Sequence, residues 1–142
     1  MRCKILLPVD GSEGSARAAR HVADLAASVK DLEVHLVNVQ SRGDDCMVRR
    51  MIKPDELVKM EREWGEAAMA PARAILKTAG IASVDHMEQG EIGPTIARLA
   101  QGLGCTQIVM GTRGHSALGD LLMGSVAVKV LHLSKVPVTL VK

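Results

Sequence analysis

Cys3-Lys-Ile-Leu-Leu-Pro-Val-Asp-Gly-Ser12 is a nearly continuous apolar run that stops abruptly on an acid, a glycine and a serine. Such a run, bounded by turn residues, predicts a buried strand over Cys3–Val9. Ser12–Val29 then changes to helical spacing, with Ala16, Ala19, Ala23 and Ala26 on one face. Working outward, strands are expected at Glu33–Gln40, Ser83–Glu88, Gln107–Met110 and Val136–Val141. A second helix is expected from Pro54 to Gly80, with Leu57, Met60, Trp64, Ala68, Ala72 and Ile75 inward and a kink at Pro71. Pro94–Leu103 and Ser125–Leu133 complete the helices, and Ser41–Lys53 reads as an exposed loop. Strands alternating with helices predict a parallel sheet covered on both faces, joined by right-handed crossovers.

With 142 residues, the chain has room for one core, so a single domain over 1–142 is expected. Its composition, 47% hydrophobic and 24% charged, excludes a disordered tail or a coiled-coil rod. A net charge of +2 without a basic cluster argues against a nucleic-acid partner. One Trp and no Phe or Tyr leave almost nothing for bases to stack on. The three cysteines, Cys3, Cys46 and Cys105, form neither a disulfide framework nor a CxxC site. The apolar start is too short for a signal core or a membrane span, so a cytoplasmic protein without membrane insertion is expected.

In doubly wound sheets, ligands bind beyond the carboxyl ends of the strands, where strand order reverses. Two strand ends are unusual here: Pro8-Val9-Asp10-Gly11-Ser12 and Met110-Gly111-Thr112-Arg113-Gly114-His115-Ser116. Gly119 and Gly124 follow, and Gly124-Ser125 opens a helix. Glycine lets backbone N–H groups approach a ligand, and a helix start adds unpaired donors and positive potential. These glycines serve either a phosphate cradle or tight turns. Gly119 to Ser125 has the outline of a Walker A loop, but the Lys is missing and the loop follows the fourth strand. GxGxxG, HExxH and GxSxG are absent.

The strand ending in VDGS, the strand ending in VMGTRG, the later Gly-Ser and the closing PVTLV together resemble the universal stress protein family. The spacing Gly111-x2-Gly114-x9-Gly124-Ser125 is similar to that family's ATP-binding signature, G-x2-G-x9-G-[S/T]. The resemblance covers nearly the whole chain. It implies a three-layer Rossmann-like α/β fold: a five-stranded parallel sheet, order 3-2-1-4-5, with four flanking helices. It also implies site roles. Pro8, Val9 and Asp10 would line the adenosine pocket, with Asp10 accepting from adenine or ribose. Val39 would meet the adenine edge through its backbone, and Met110 and Gly111 would border the ribose. Gly114, Gly124, Ser125 and Val126 would meet the phosphates. Arg113 is either a further phosphate partner or a solvated loop charge, and His115 either faces solvent or approaches the terminal phosphates.

The implied ligand is ATP, with ADP or AMP as alternatives, together with Mg²⁺ that Ser125 could help hold. No general base is evident, since Asp10 belongs to the adenosine end and Asp120 has no partner in the sequence pattern. The expected function is therefore an ATP-dependent sensor or regulator in the stress response, acting on an unidentified protein partner. The alternative is a slow ATPase or adenylyl-transfer enzyme; a nucleotide-free structural dimer ranks last because the glycine motif is kept. In the order 3-2-1-4-5, Val136–Val141 is an edge guarded only by Lys135 and Lys142. It predicts a homodimer through that strand, or a higher oligomer built on it.

Overall fold

The computed structural model describes residues 2–41, 50–114 and 123–142. Its elements run β1 (Cys3–Pro8), α1 (Glu13–Ala26), β2 (Leu32–Gln40), α2 (Pro54–Thr78), β3 (Ser83–Gln89), α3 (Ile92–Gly102), β4 (Gln107–Gly111), α4 (Ser125–Leu133) and β5 (Val138–Val141). All strands are parallel, in the order β3-β2-β1-β4-β5. This is the Rossmann-like arrangement expected from the sequence. The order reverses between β1 and β4, so a crevice opens at their carboxyl ends.

β1, β2 and β4 bury both faces, which is why they read as runs instead of alternations, whereas the outer strands β3 and β5 contain no fully buried residue. On one side Ile5, Leu7, Val34 and Leu36 meet Ala18, Ala19 and Val22 of α1 and Met69, Ala72 and Leu76 of α2. On the other, Leu6, Val37, Val39 and Ile108 meet Ile96 and Ala100 of α3 and Ala127 and Val130 of α4. Full burial of one of these Val, Leu, Ile or Met side chains stabilises by about 1.5–3 kcal/mol. Helix α1 starts cleanly because Ser12 caps it, its hydroxyl accepting the Ser15 N–H.

One inward face differs from expectation. Trp64 is 52% exposed, and the buried residues of α2 are Gly65, Met69, Ala72 and Leu76. The helix has 25 residues while β2 and β3 have 9 and 7, so its first turns overhang the sheet. Where it does reach β3, Gly65 abuts the Met87 thioether, and that close approach sets which face turns inward. The helix passes through Pro71 as one element, with that residue on its exposed side. β5 starts two residues later than expected, at Val138. Cys3 is half-buried and Cys105 buried, while Cys46, His115, Gly119 and Asp120 lie outside the described residues.

Candidate functional site

β1 hands over to α1 through a turn built on Asp10. The carboxylate Oδ1 accepts the Ser12 N–H at 2.9 Å and the Ser15 hydroxyl at 2.8 Å. The Ser15 hydroxyl oxygen in turn accepts the Asp10 N–H at 3.0 Å. The other carboxylate oxygen, Oδ2, lies against Gly114, where a Cβ would collide with it. Asp10 thus joins the β1 turn to the loop after β4 across the switch point. Gly111 meets the backbone of Gly14, which draws the start of α1 onto the end of β4.

The crevice between these loops encloses about 230 Å³. Pro8, Val9, Asp10, Val39, Met110, Gly111, Arg113, Gly114, Gly124, Ser125 and Val126 all line it, so these eleven come together, while His115 and Gly119 lie outside the described residues. Ser15, Val37, Ile92, Ile96, Thr112 and Ala127 line it as well and were not anticipated. Ile92 and Ile96 stand four apart at the start of α3, a spacing that could have been read. Ser15 follows Ser12 by three, the spacing of a cap.

Two ends of the crevice differ in chemistry. One end is walled by Val37, Val39, Ile96 and Met110, all buried, and is apolar. At the other end α4 begins with Gly124, which supplies no side-chain cap. The Gly124 N–H is already given to the Thr112 carbonyl at 2.7 Å, so this glycine offers a ligand no donor. Its part is steric: a Cβ there would sit 3.3 Å from the Thr112 oxygen and tighten the loop return. Val128 N–H closes the first helical bond to Gly124 C=O, leaving the N–H groups of Ser125, Val126 and Ala127 in the uncapped first turn. With Arg113 beside it, this end carries positive potential.

Strand alternation aims one more group. In a parallel sheet, a residue directs both N–H and C=O to the same neighbouring strand, and the next residue to the other. Val37 C=O receives the Val9 N–H on the β1 side, and Gln40 C=O receives the Gly90 N–H on the β3 side. Val39 therefore turns both its groups toward β1, which has already ended at Pro8. They face the crevice as a donor–acceptor pair.

The universal stress protein family model matches residues 1–142. The chain belongs to the universal stress protein family. A universal stress protein encoded in the 3′ region of a QAH/OAS sulfhydrylase in Thermus aquaticus is 33% identical to it, over 97% of each chain. The solved structure of hypothetical protein MJ0577 superposes with a TM-score of 0.85 and 30% identity, covering 100% of this chain and 96% of that one. A universal stress protein from Archaeoglobus fulgidus, solved in complex with dAMP, is 21% identical, with a TM-score of 0.69 and coverage of 100% and 98%. At that identity it speaks for the fold, and its ligand is a fact about that protein.

Outside the crevice, this universal stress protein carries a constellation that sequence reasoning did not join. His35 is buried on β2; its Nε2 lies 2.7 Å from Glu33 Oε1 and its Nδ1 2.8 Å from Nε2 of His86 on β3. The hydrogen bond from His35 holds the Glu33 carboxyl below its ordinary value, with Lys4 and Arg2 adding to the effect. Desolvation, and then the adjacent His35, push the His86 imidazole down. Cys105 packs in the core beneath α3 and α4, and that burial pushes its thiol up. Among the described residues, no group of three His, Cys, Asp or Glu could hold a metal, and no helix is long and apolar enough to cross a membrane.

Proposed function

We propose that this chain, folded as a single domain over 1–142, binds an adenine nucleotide in the crevice. It would act as a nucleotide-dependent regulator in the stress response, in the cytoplasm and through a protein partner. The observation that carries the reading is the Val39 backbone pair beside an apolar slot. Adenine presents an acceptor at N1 next to a donor at N6, which complements a neighbouring N–H and C=O. Guanine presents a donor and an acceptor in the reverse order and would set like against like. Pro8, Val9 and Met110 would hold the adenosine, and Gly111 and Gly114 would let the chain come close to ribose and phosphate. The Ser125 and Val126 amides, with Arg113, would meet the phosphates, as a helix N-terminus meets anions elsewhere. ATP is the ligand that would use all of these, with ADP and AMP using fewer. Ser125 would offer a hydroxyl to phosphate-bound Mg²⁺.

Binding without efficient turnover is the favoured form of this reading. Asp10, the carboxylate in the crevice wall, holds two bonds within its own turn and abuts Gly114, so it is not poised as a base. The slow ATPase or adenylyl-transfer alternative has no such residue among those described. Two copies would pair through β5. Ile108 N–H goes to Pro137 C=O and Thr112 N–H to Val141 C=O, so Val138 and Leu140 direct their backbone groups to the open edge.

Calorimetric titration with ATP and GTP tests the reading. ATP should bind at least about tenfold tighter, because each unpaired buried group costs about 1–3 kcal/mol. Gly124→Val, checked for an intact fold, should weaken ATP by a similar factor. Equal affinities for the two nucleotides would remove the base assignment, and an indifferent Gly124→Val would remove the glycine loop.

A further inference from the structure

A polar residue interrupts the apolar stripe of β2. Val34 and Leu36 are fully buried in the core beneath α1 and α2, yet Asn38, next on that face, is an amide and only 7% exposed. Its Nδ2 donates to the Val9 carbonyl at 2.9 Å. Its Oδ1 accepts from Gln40 Nε2 at 3.2 Å, and the same Gln40 nitrogen donates to the Glu61 carbonyl of α2 at 2.7 Å. Both ends of this chain are backbone carbonyls, which can only accept. The orientation of each amide is thereby determined: nitrogen toward Val9 for Asn38, nitrogen toward Glu61 for Gln40.

The place where Asn38 bonds is informative. Val9 N–H reaches Val37 C=O, the last rung of the β1–β2 ladder. The next rung of a regular parallel ladder would run from Val39 N–H to Val9 C=O. That rung is absent from the backbone hydrogen bonds, and the Asn38 side chain stands on the Val9 carbonyl in its stead. A buried carbonyl must be paired, so without Asn38 the strands would be driven to close the rung.

We infer that Asn38 is a positioning residue for the nucleotide crevice: its carboxamide satisfies Val9 C=O, which leaves the Val39 N–H free to read the N1 position of a purine. The Gln40–Glu61 bond anchors that carboxamide to α2. This inference rests on the adenine reading proposed above, and deepens it by naming what keeps the reading group available.

Two measurements test it. The first uses the ligand-free wild type and needs no variant: amide hydrogen exchange at Val39 should be at least about tenfold faster than at Val37, which is in the ladder. In Asn38→Leu, the vacated Val9 carbonyl takes the Val39 N–H and that exchange slows. Equal protection of Val39 and Val37 in the wild type overturns the inference. The second compares ATP with 1-deaza-ATP, which lacks the N1 acceptor. Wild type should prefer ATP by roughly tenfold, the upper range for one hydrogen bond. Asn38→Leu should bind 1-deaza-ATP as the wild type does and lose the preference. A variant that keeps it shows that Asn38 is structural only. A wild type that binds both nucleotides equally removes the base reading itself, and with it any ligand role for Asn38.

Discussion

Gly111→Ala and Gly102→Ala are the same chemical change, and the structure gives them opposite signs. A Cβ on Gly111 would stand 2.9 Å from both C and O of Gly14, about 0.5 Å inside the 3.4 Å at which ordinary van der Waals contact begins. The obstacle is the backbone of α1, which cannot rotate away as a side chain does. Nor can α1 simply shift along the loop, because Gly14 is also closed against the Arg113 carbonyl. The start of α1 must retreat, loosening the Ser15–Asp10 bonds that shape the crevice. Overpacking of this kind costs about 1–3 kcal/mol. Gly102, the last residue of α3, has nothing within 4 Å of its Cβ position and no positive φ. Alanine there restricts the unfolded chain and should stabilise by about 0.4–1 kcal/mol. Urea denaturation followed by far-ultraviolet dichroism reads both. At a slope of about 1–3 kcal/mol per molar, the Gly111 midpoint should fall by on the order of 1 M and the Gly102 midpoint should rise. A Gly111→Ala protein as stable as the wild type would refute the close approach of α1 to β4, and with it the shape assigned to the crevice.

Asp10→Ala should lower nucleotide affinity and thermal stability together, since it removes an acceptor from Ser12 N–H and the Ser15 hydroxyl at about 1–3 kcal/mol; lost affinity with unchanged melting would separate the two roles. The depressed His86 pKa means that the unfolded chain takes up that proton first, so stability should be full above about pH 6.5 and decline as the pH drops below it. His35 opposes protonation of His86, while Glu88 and Asp85 favour it, and urea midpoints at about pH 7.5 and 5.5 should differ less in His86→Gln than in the wild type. That window lies above the ordinary 4.5 of Glu33, whose own contribution is lost only as the pH falls below that value. Light scattering should show a wild-type dimer at tens of micromolar, and Val138→Pro, which removes a backbone donor from the open edge of β5, should shift it to monomer; a dimer indifferent to that change places the interface elsewhere.

What the sequence disclosed follows the range over which each signal acts. Strand ends announce themselves locally: PVDGS and MGTRG combine apolar runs with turn residues, and each falls where its strand stops. The order of the strands is not local, and it came from resemblance to a family. The Trp64 expectation failed because helical spacing identifies a stripe and not its extent. Leu57 and Met60 keep the period and are half-buried, but at the next turn the close approach of Gly65 to Met87 turns Gly65 inward and leaves Trp64 exposed. His35 and His86 are 51 residues apart and meet only because β2 and β3 are in register, with Val37 opposite His86.

The crevice shows why glycine and asparagine are read differently from a sequence. Gly124 was recognisable by spacing, yet its N–H belongs to Thr112, so the motif marks a backbone that must pass closely and not a row of donors. Asn38 was passed over because one polar residue in LVNVQ weakens a strand signal without suggesting another role. Its importance depends on where β1 ends, since only a strand that stops at Pro8 leaves a carbonyl for a side chain to claim. Donors left open at Val39 and at the start of α4 arise from the same event. Parallel strands and helices run out of partners at the carboxyl edge of the sheet, and the residues that decide which groups stay open there are the ones that shape a ligand. By that reasoning, a nucleotide bound as proposed would be selected by main-chain groups, held open by Asn38 on one side and by the uncapped first turn after Gly124 on the other.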